Sequence, residues 1–507
     1  MITRTPTLIL LAFLLSSCTR ESGEPGNELR ILNAGGGDVV VEGTSCGTIC
    51  ELVVQADAIA APEAMPAAGS TFRAWFGDCQ GSGRCEVNML GRRTVYAEFG
   101  PVYPRWAIDA APDRLAAAAG VMAGDAEGFV SVYLADGVAP HLAAFDPDGR
   151  ALWGLQIQHD RGAPTFSALD VQPEGLVAAG RYSGRWTVSG TELPAASDGE
   201  CFLARFDRDG APLGAEQLPC GPMGSVTAVH AGAGVDYVLG EFAGDGPPGI
   251  GPSLGGTDVF LTSAGGASAP LRLGSTGDDR AIAMGVSDSQ PDVRWVWLSL
   301  GAAGTLGTEA VPAGLHLVAV GALSVDVVAS MPGVISNEVR GGLAFTADGE
   351  PLVAASFVGT LDGHLTNDDG DMVFARIGID GTVRWLRVVA AARPQVVSSV
   401  ARWGDEFVLA GGYDGHVVFG PAVELVGPRS LVSLPENGFI AGLSQATGEP
   451  SWARTVHTSI NAPARVAPLG DEIVISSTHS GWSMLRYLLP PRSFSAQTIF
   501  ARYSRDP

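Results

Sequence analysis

The chain has 507 residues, enough for more than one domain or one large repeat architecture. Its 68 Gly and 33 Pro favour turns over long helices, and 46% apolar against 17% charged residues excludes a chain disordered by composition. All 31 basic residues are Arg and the net charge is -23, or -24 without the single Arg of residues 1–17, so there is no basic footprint for nucleic acid.

The first elements concern address. Residues 1–4 carry one positive charge, and Leu8-Ile9-Leu10-Leu11-Ala12-Phe13-Leu14-Leu15 is a short apolar run ending in Leu15-Ser16-Ser17-Cys18. No apolar stretch reaches 18 residues, so this is a leader and not a spanning helix. Charge, apolar run and small residues before a Cys resemble the bacterial lipoprotein signal. The resemblance implies that residues 1–17 are removed and Cys18 is acylated, palmitate included, which anchors the chain to a membrane. Thr19, where an Asp often retains Gram-negative lipoproteins at the inner membrane, suggests the outer membrane. Residues 18–28 then read as a flexible tether, since 19–28 hold no apolar side chain apart from one Pro ring.

Cys18 aside, six Cys remain, an even number for an oxidising compartment. They fall as Cys46/Cys50, Cys79/Cys85 and Cys201/Cys220. The first four allow three connectivities, of which local pairing is the simplest. A tetrahedral zinc site is the alternative, but three and five intervening residues are not tight C-x-x-C knuckles, and export favours disulfides. Cys201 and Cys220 flank a predicted hairpin that turns at Asp209-Gly210.

Residues 29–100 show short apolar segments around Ile31, Val40, Val53, Ala74 and Ala97, most of them separated by Gly and Pro, which predicts five or six short strands. Gly69-Ser70-Thr71-Phe72-Arg73-Ala74-Trp75-Phe76-Gly77-Asp78-Cys79, with Thr94-Val95-Tyr96-Ala97-Glu98-Phe99, resembles the bacterial repeat module related to internalin B-repeats. Ala74 replaces the usual Gly. The resemblance implies a stalk or adhesive spacer without catalysis.

From residue 103 to 507 one unit recurs seven times. An apolar strand starts at Leu142, Leu203, Leu261, Leu317, Phe374, Ile440 and Phe500, at spacings of 61, 58, 56, 57, 66 and 60. A Trp follows at 153, 385 and 452, and a strand ending in Gly lies about 42 residues after the first signature, as at Gly184 and Gly415. The chain ends before Phe500 meets its Trp, while Trp106 stands with no strand before it. After Trp106, Gly137 keeps the spacing to the matching Gly, whereas residues 121–128 match better by type. Each end holds the half-unit that the other lacks. This predicts an all-β chain: a seven-bladed β-propeller closed by N- and C-terminal strands, with a small disulfide-stapled β module before it. Inner strands are expected near 115–123, 168–172, 226–230, 281–285, 342–345, 398–402 and 464–469. A solenoid would repeat too, but its ends would not complement each other. The stretch Asp371-Met372-Val373-Phe374-Ala375-Arg376 with Asp380-Gly381-Thr382-Val383-Arg384-Trp385 resembles bacterial β-propeller repeats. The unit at Leu317 lacks both the Asp and the Trp.

Chemistry is harder to find. Asp-Gly at 148–149, 209–210 and 380–381 reads as type I′ turns, and 367–371 as a turn before a weak calcium site. The eight His show no H-x-x-x-H spacing. G-x-S-x-G occurs around Ser45 and Ser253, but a nucleophile elbow needs a strand and then a helix; the first lies in the β module and the second is expected in a loop. Absence of Lys excludes a phosphate-loop or Schiff-base Lys. Ala446-Thr447-Gly448-Glu449-Pro450-Ser451-Trp452 faintly resembles the Trp-docking repeat of quinoprotein dehydrogenases, but the resemblance places no calcium or quinone ligands in this sequence. The repeated Trp are expected between blades rather than stacked on sugar. No catalytic residue, metal or cofactor is assigned. The leading expectation is a surface-anchored, non-catalytic binding or scaffold propeller with a protein or glycan ligand. A propeller enzyme acting on glycan or a small substrate, and a subunit of an outer-membrane assembly, are the alternatives.

Overall fold

The structure is a computed structural model. It describes residues 27–505 except 34, 48, 68–69, 101–102, 110–115, 136–138, 160–163, 189–190, 219, 222, 233–234, 267, 336–338, 367–369, 422, 428–436, 459–463, 480–481 and 484–496. Among the described residues everything regular is β-strand, apart from one 3-10 turn at Ala264–Gly266.

The N-terminal module has nine strands rather than five or six. The extra ones, Thr44–Cys46, Ile59–Ala60, Glu63–Pro66 and Val87–Asn88, are two to four residues long, too short for any period to show. Its main sheet runs Ile49–Val54, Asn27–Asn33, Arg93–Phe99, Phe72–Gly77, with the central pair parallel. Leu29, Ile31, Val39, Trp75, Val95 and Phe99 fill the core. Such a core is small, and two disulfides supplement it. Cys46–Cys50 ties the small sheet to the main one, and Cys79–Cys85 closes the loop after Phe72–Gly77; their Cα atoms are 5.1 and 5.7 Å apart.

The rest is a β-propeller. Among the described residues, seven antiparallel sheets follow in chain order, each laid down from inner to outer strand except the last, whose outer strand comes from the start of the propeller. The inner strands are Ala116–Gly124, Thr165–Gln172, Ser225–His230, Arg280–Ser287, Arg340–Phe345, Gln395–Trp403 and Arg465–Leu469. Each neighbours the next, and the last neighbours the first. The sheets are called blades 1 to 7 in that order. The better type match after Trp106, around Gly124, falls on the inner strand of blade 1. Gly184 lies on the second strand of blade 2, so Gly124 is not its structural equivalent; Gly137 lies outside the described residues. The apolar strands found by their period are third strands, and the Trp positions lie on outer strands. Third strands read as continuous apolar runs because blades cover them on both faces. In Asp371–Ile377 every residue but Arg376 is buried. Seven apolar clusters each span two adjacent blades, the one around Phe129, Phe145, Val474 and Phe500 joining blade 7 to blade 1.

Closure occurs where the two ends of the repeat meet. Tyr103–Asp109 pairs antiparallel with Gln497–Ser504, Ala107 opposite Ala501 and Ile108 opposite Phe500, and becomes the outer strand of blade 7. Phe500 packs its ring 5.2 Å from Phe129 and 5.3 Å from Phe145. The backbone of Trp106 is in this strand; its side chain lies outside the described residues.

Blades are also clasped by polar contacts. Trp153 donates Nε1–H to the Arg208 carbonyl at 2.7 Å and Trp385 to the Gln445 carbonyl at 2.8 Å, each in the following blade. The indoles lie on the turn glycines there: a Cβ at Gly210 or Gly448 would come 2.5 or 2.6 Å from the ring. This places Trp153 and Trp385 between blades, as expected. Arg376 and Arg502 donate to carbonyls of the next blade, Gln445 at 3.1 Å and Pro147 at 2.9 Å, and Arg205 pairs with Asp236. Blade 4, which like blades 2 and 3 has no Trp on its outer strand, uses Trp297 of its second strand, bonded to the Ala354 carbonyl at 3.2 Å. Blade 7 has no turn between its third and outer strands, because its outer strand is Tyr103–Asp109. Arg505 takes that place, donating to Asp405 at 2.8 Å and Glu406 at 3.0 Å and lying 4.8 Å over the Trp403 ring.

The Asp-Gly turns differ in type from the expectation. Gly149, Gly210 and Gly381 have φ of 78°, 80° and 81°, but the Asp before each does not. Gly210 N–H bonds the Asp207 carbonyl at 3.1 Å, and the strand register slips by one residue beside the turn. This is a type I turn with a bulged glycine, whereas type I′ needs both central residues positive. Cys201 and Cys220 are joined across this hairpin, Cα atoms 5.7 Å apart.

The indole contacts make a prediction. Gly210→Ala and Gly448→Ala each force a Cβ into an indole at positive φ and are expected to cost about 2 kcal/mol each. Gly154→Ala, with nothing within 4 Å, serves as control. Thermal melts that leave all three variants at wild-type stability would remove the indole–glycine clasp from the account.

Candidate functional site

A cleft of about 740 Å³ lies between the module and blade 6. Domain junctions are favoured places for ligand sites. One wall is the turn at residues 35–38 with Asn33, Ser45, Ser70 and Phe99; the other is residues 421, 423–426 and 450–454 of blade 6.

Local sequence explains each wall. Asn33 closes the glycine turn by itself, accepting from Gly35 N–H at 2.9 Å and donating to the Gly37 carbonyl at 2.8 Å. The turn must be free of side chains: a Cβ at Gly37 would stand 2.6 Å from the Phe99 ring. At Gly35, with φ of 103°, a Cβ would meet the Ala453 carbonyl and Leu425 at 3.1 Å. The glycines therefore let the module's backbone lie directly on blade 6. The opposite wall is a hairpin, His416–Gly420 with Val423–Val426, inserted between the second and third strands of blade 6. Val426 approaches Gly47 of the module, 3.9 Å from where its Cβ would stand.

At the floor, Arg454 of blade 6 pairs with Glu98 of the module; the side chains are 3% and 5% exposed. The guanidinium also lies 5.7 Å from the centre of the Tyr503 ring, and burial pushes the Tyr503 phenol up. A buried pair of this kind holds geometry: either partner alone in the interior is strongly unfavourable. The other charges around the cleft are engaged as well. Asp38 accepts from Val39 N–H at 2.7 Å and from Ser45, and Glu424 contacts His416 Nε2 at 2.8 Å. Ser70 is different: its Oγ is buried and has no hydrogen-bond partner among the described residues. The cleft thus offers glycine backbone and apolar surface, while its charged groups are already engaged. That suits holding a ligand better than moving protons.

The residues singled out from the sequence are elsewhere. Cys18 lies outside the described residues, and the six other cysteines are in the three disulfides already placed. Ser45 is on a strand of the module. Ser253 is not in a loop but starts the strand Pro252–Ser263, where its hydroxyl accepts from Gly244 N–H at 3.0 Å. A strand follows in place of a helix, so neither Ser is on an elbow. Of 367–371, residues 367–369 lie outside the described residues; buried Asp371 contacts His364 Nε2 at 3.0 Å and accepts from Ala391 N–H at 3.4 Å. His316 is fully buried in blade 4 between Ser330 and the Pro312 carbonyl, and burial pulls it down to about 4, which keeps it neutral. Among the described residues no group of three or more His, Cys, Asp or Glu stands ready to hold a metal. Glu98, Arg454 and the cleft hydroxyl Ser70 were not recognised in the sequence as site residues. The only local signal was a charge, Glu98, inside the apolar run Val95-Tyr96-Ala97-Glu98-Phe99; its partner is 356 residues away.

No protein-family model and no curated protein matches the chain. Among solved structures, the chain is similar to the WD40 domain of Toxoplasma gondii coronin, at 9% identity over 79% of this chain and 86% of that one, TM-score 0.43. It is similar to a quinohemoprotein alcohol dehydrogenase from Pseudomonas putida HK5, at 10% identity over 80% and 76%, TM-score 0.39. BamB from Moraxella catarrhalis is matched at 14% identity over 70% and 98%, TM-score 0.33. At these values none of them bears on what this chain binds or does.

The Glu98–Arg454 pair yields a test. Glu98→Gln or Arg454→Met alone leaves a buried charge without its partner and is expected to cost about 3–5 kcal/mol. The double variant should recover most of that. Thermal melts and protease cleavage near residue 100 read the effect. Equal damage from singles and double would mean that packing, not the ion pair, holds the module.

Proposed function

We propose that this chain is a lipid-anchored, non-catalytic binding or scaffold propeller of the outer membrane. Acylated Cys18 holds it to the bilayer, residues 18–28 serve as tether, and the module at 29–100 is a spacer fused to the propeller. Its ligand is a protein or glycan segment held in the cleft between the module and blade 6. The observation that carries this reading is the cleft itself: two walls fixed together by a buried ion pair and lined by glycine backbone and apolar surface. The leader in front of Cys18 supports the anchor.

Anchoring is tested directly. Labelled palmitate should enter the wild-type chain and not the Cys18→Ser variant, and the variant should move from the membrane to the soluble fraction. A variant that still sediments with membranes, or a mature chain starting at another residue, would overturn the anchor.

A further inference from the structure

The junctions between blades differ in how an outer strand ends. At the end of blade 3, Gly274 and Ser275 pair with Thr305 and Gly304, from a hairpin inserted between the second and third strands of blade 4. At the end of blade 4, residues 333–335 pair with 359–361, from the hairpin inserted at the same place in blade 5. At the end of blade 6, His457 and Thr458 pair with Ser483 and Trp482, from the same connection of blade 7. In each case the following blade supplies a strand that covers an open edge.

Blade 6 carries such a hairpin too, His416–Gly420 with Val423–Val426, but does not use it this way. The hairpin forms a two-stranded sheet of its own. Its second strand leans on the module, through Leu425 at Gly35 and Val426 at Gly47. The outer strand of blade 5, Val383–Val389, comes within 8 Å of His416–Gly420 at the Cα level but is not paired with it. Among the described residues no backbone hydrogen bond crosses from residues 390–392 to that strand. Between them is a gap of about 380 Å³, walled by Ala390, Ala391, Ala392 and Arg393 on one side and Gly415, His416 and Val418 on the other. Val417 and Phe419 are buried, Val417 at 0% exposure, while Val418 is 44% exposed at the gap. Both charged rim groups are engaged, Arg393 with Asp414 at 3.6 Å and His416 with Glu424 at 2.8 Å.

We infer that this gap takes an extended polypeptide segment of a partner, which pairs its main chain with the open edge of His416–Gly420 and sets a small apolar side chain against Ala391 and Val418. The occupant is named by the rest of the ring: at the ends of blades 3 and 4 the corresponding place is filled by a β-strand. Strand addition gives affinity through main-chain hydrogen bonds and specificity through alternate side chains. This goes further than the interdomain cleft and rests on the binding reading of the propeller.

The probe is a library of random dodecapeptides displayed on phage, selected on the mature chain in detergent. Enriched peptides are then synthesised and titrated by fluorescence anisotropy. Binding should weaken at least tenfold with Ala391→Trp, which fills the gap, and with Val418→Arg, an exposed position where folding is safe. N-methylation of alternate peptide amides should abolish it, as only a paired main chain requires. No enrichment over bare matrix, or peptides indifferent to both variants, would overturn the inference. Peptides lost instead with Ser70→Trp would overturn it as well while leaving the interdomain cleft as the binding site.

Discussion

A sheet with two apolar faces must be covered on both, and in this chain the cover for each blade is the next one. Everything else depends on that sequence of covers having no end. The strand Tyr103–Asp109 completes it by pairing with Gln497–Ser504, so that blade 7 is made from both ends of the propeller. Without that pairing the third strand of blade 7 would present an open edge, and the cluster around Phe129, Phe145 and Phe500 would lose the strand that positions it. Burial of Phe500 alone is worth about 2 kcal/mol. The clasps repeat the same logic in polar terms. An outer-strand indole rests on the next turn glycine, and a third-strand Arg reaches the next blade's carbonyl, where its planar fork fits better than an ammonium would. Arg505 supplies the one clasp that the cut in the ring removes.

The ring was legible because repetition amplifies weak signals. No one stretch from Leu142 to Phe500 identifies a propeller strand, but seven at near-equal spacing do, and all seven inner strands fall on the expected segments. Complementary ends were legible for the same reason. Turn type was not, because Asp-Gly serves both type I′ and a bulged type I turn, and the choice depends on the residue before it, as at Asp207. A true pair of positive φ values occurs instead at Asp362-Gly363, where the hairpin loop is two residues long. The cleft was not legible at all. Glu98 and Arg454 belong to different units, and nothing local to either states that the other will be there.

Function follows the departures from the repeat rather than the repeat. All seven junctions are closed by apolar clusters, and some also by clasps, added strands or, beside blade 2, the Cys201–Cys220 disulfide. The junction of blades 5 and 6 is where an inserted hairpin is turned from its neighbour to the module, and this one diversion creates both the interdomain cleft and the unpaired gap. The outer strands of blades 3, 4 and 6 are covered by a strand of the following blade, whereas that of blade 5 is not, and the proposed recognition rests on that difference.

Closure is tested most directly by a covalent link across it. Ala107 and Ala501 face each other in the pairing of Tyr103–Asp109 with Gln497–Ser504. With Ala107→Cys and Ala501→Cys introduced together, mild oxidation should form an intramolecular disulfide in the monomer, leave the three native disulfides intact in mass mapping, and raise the melting temperature. Two free thiols after oxidation, or cross-links only between chains, would contradict a ring closed by its own two ends.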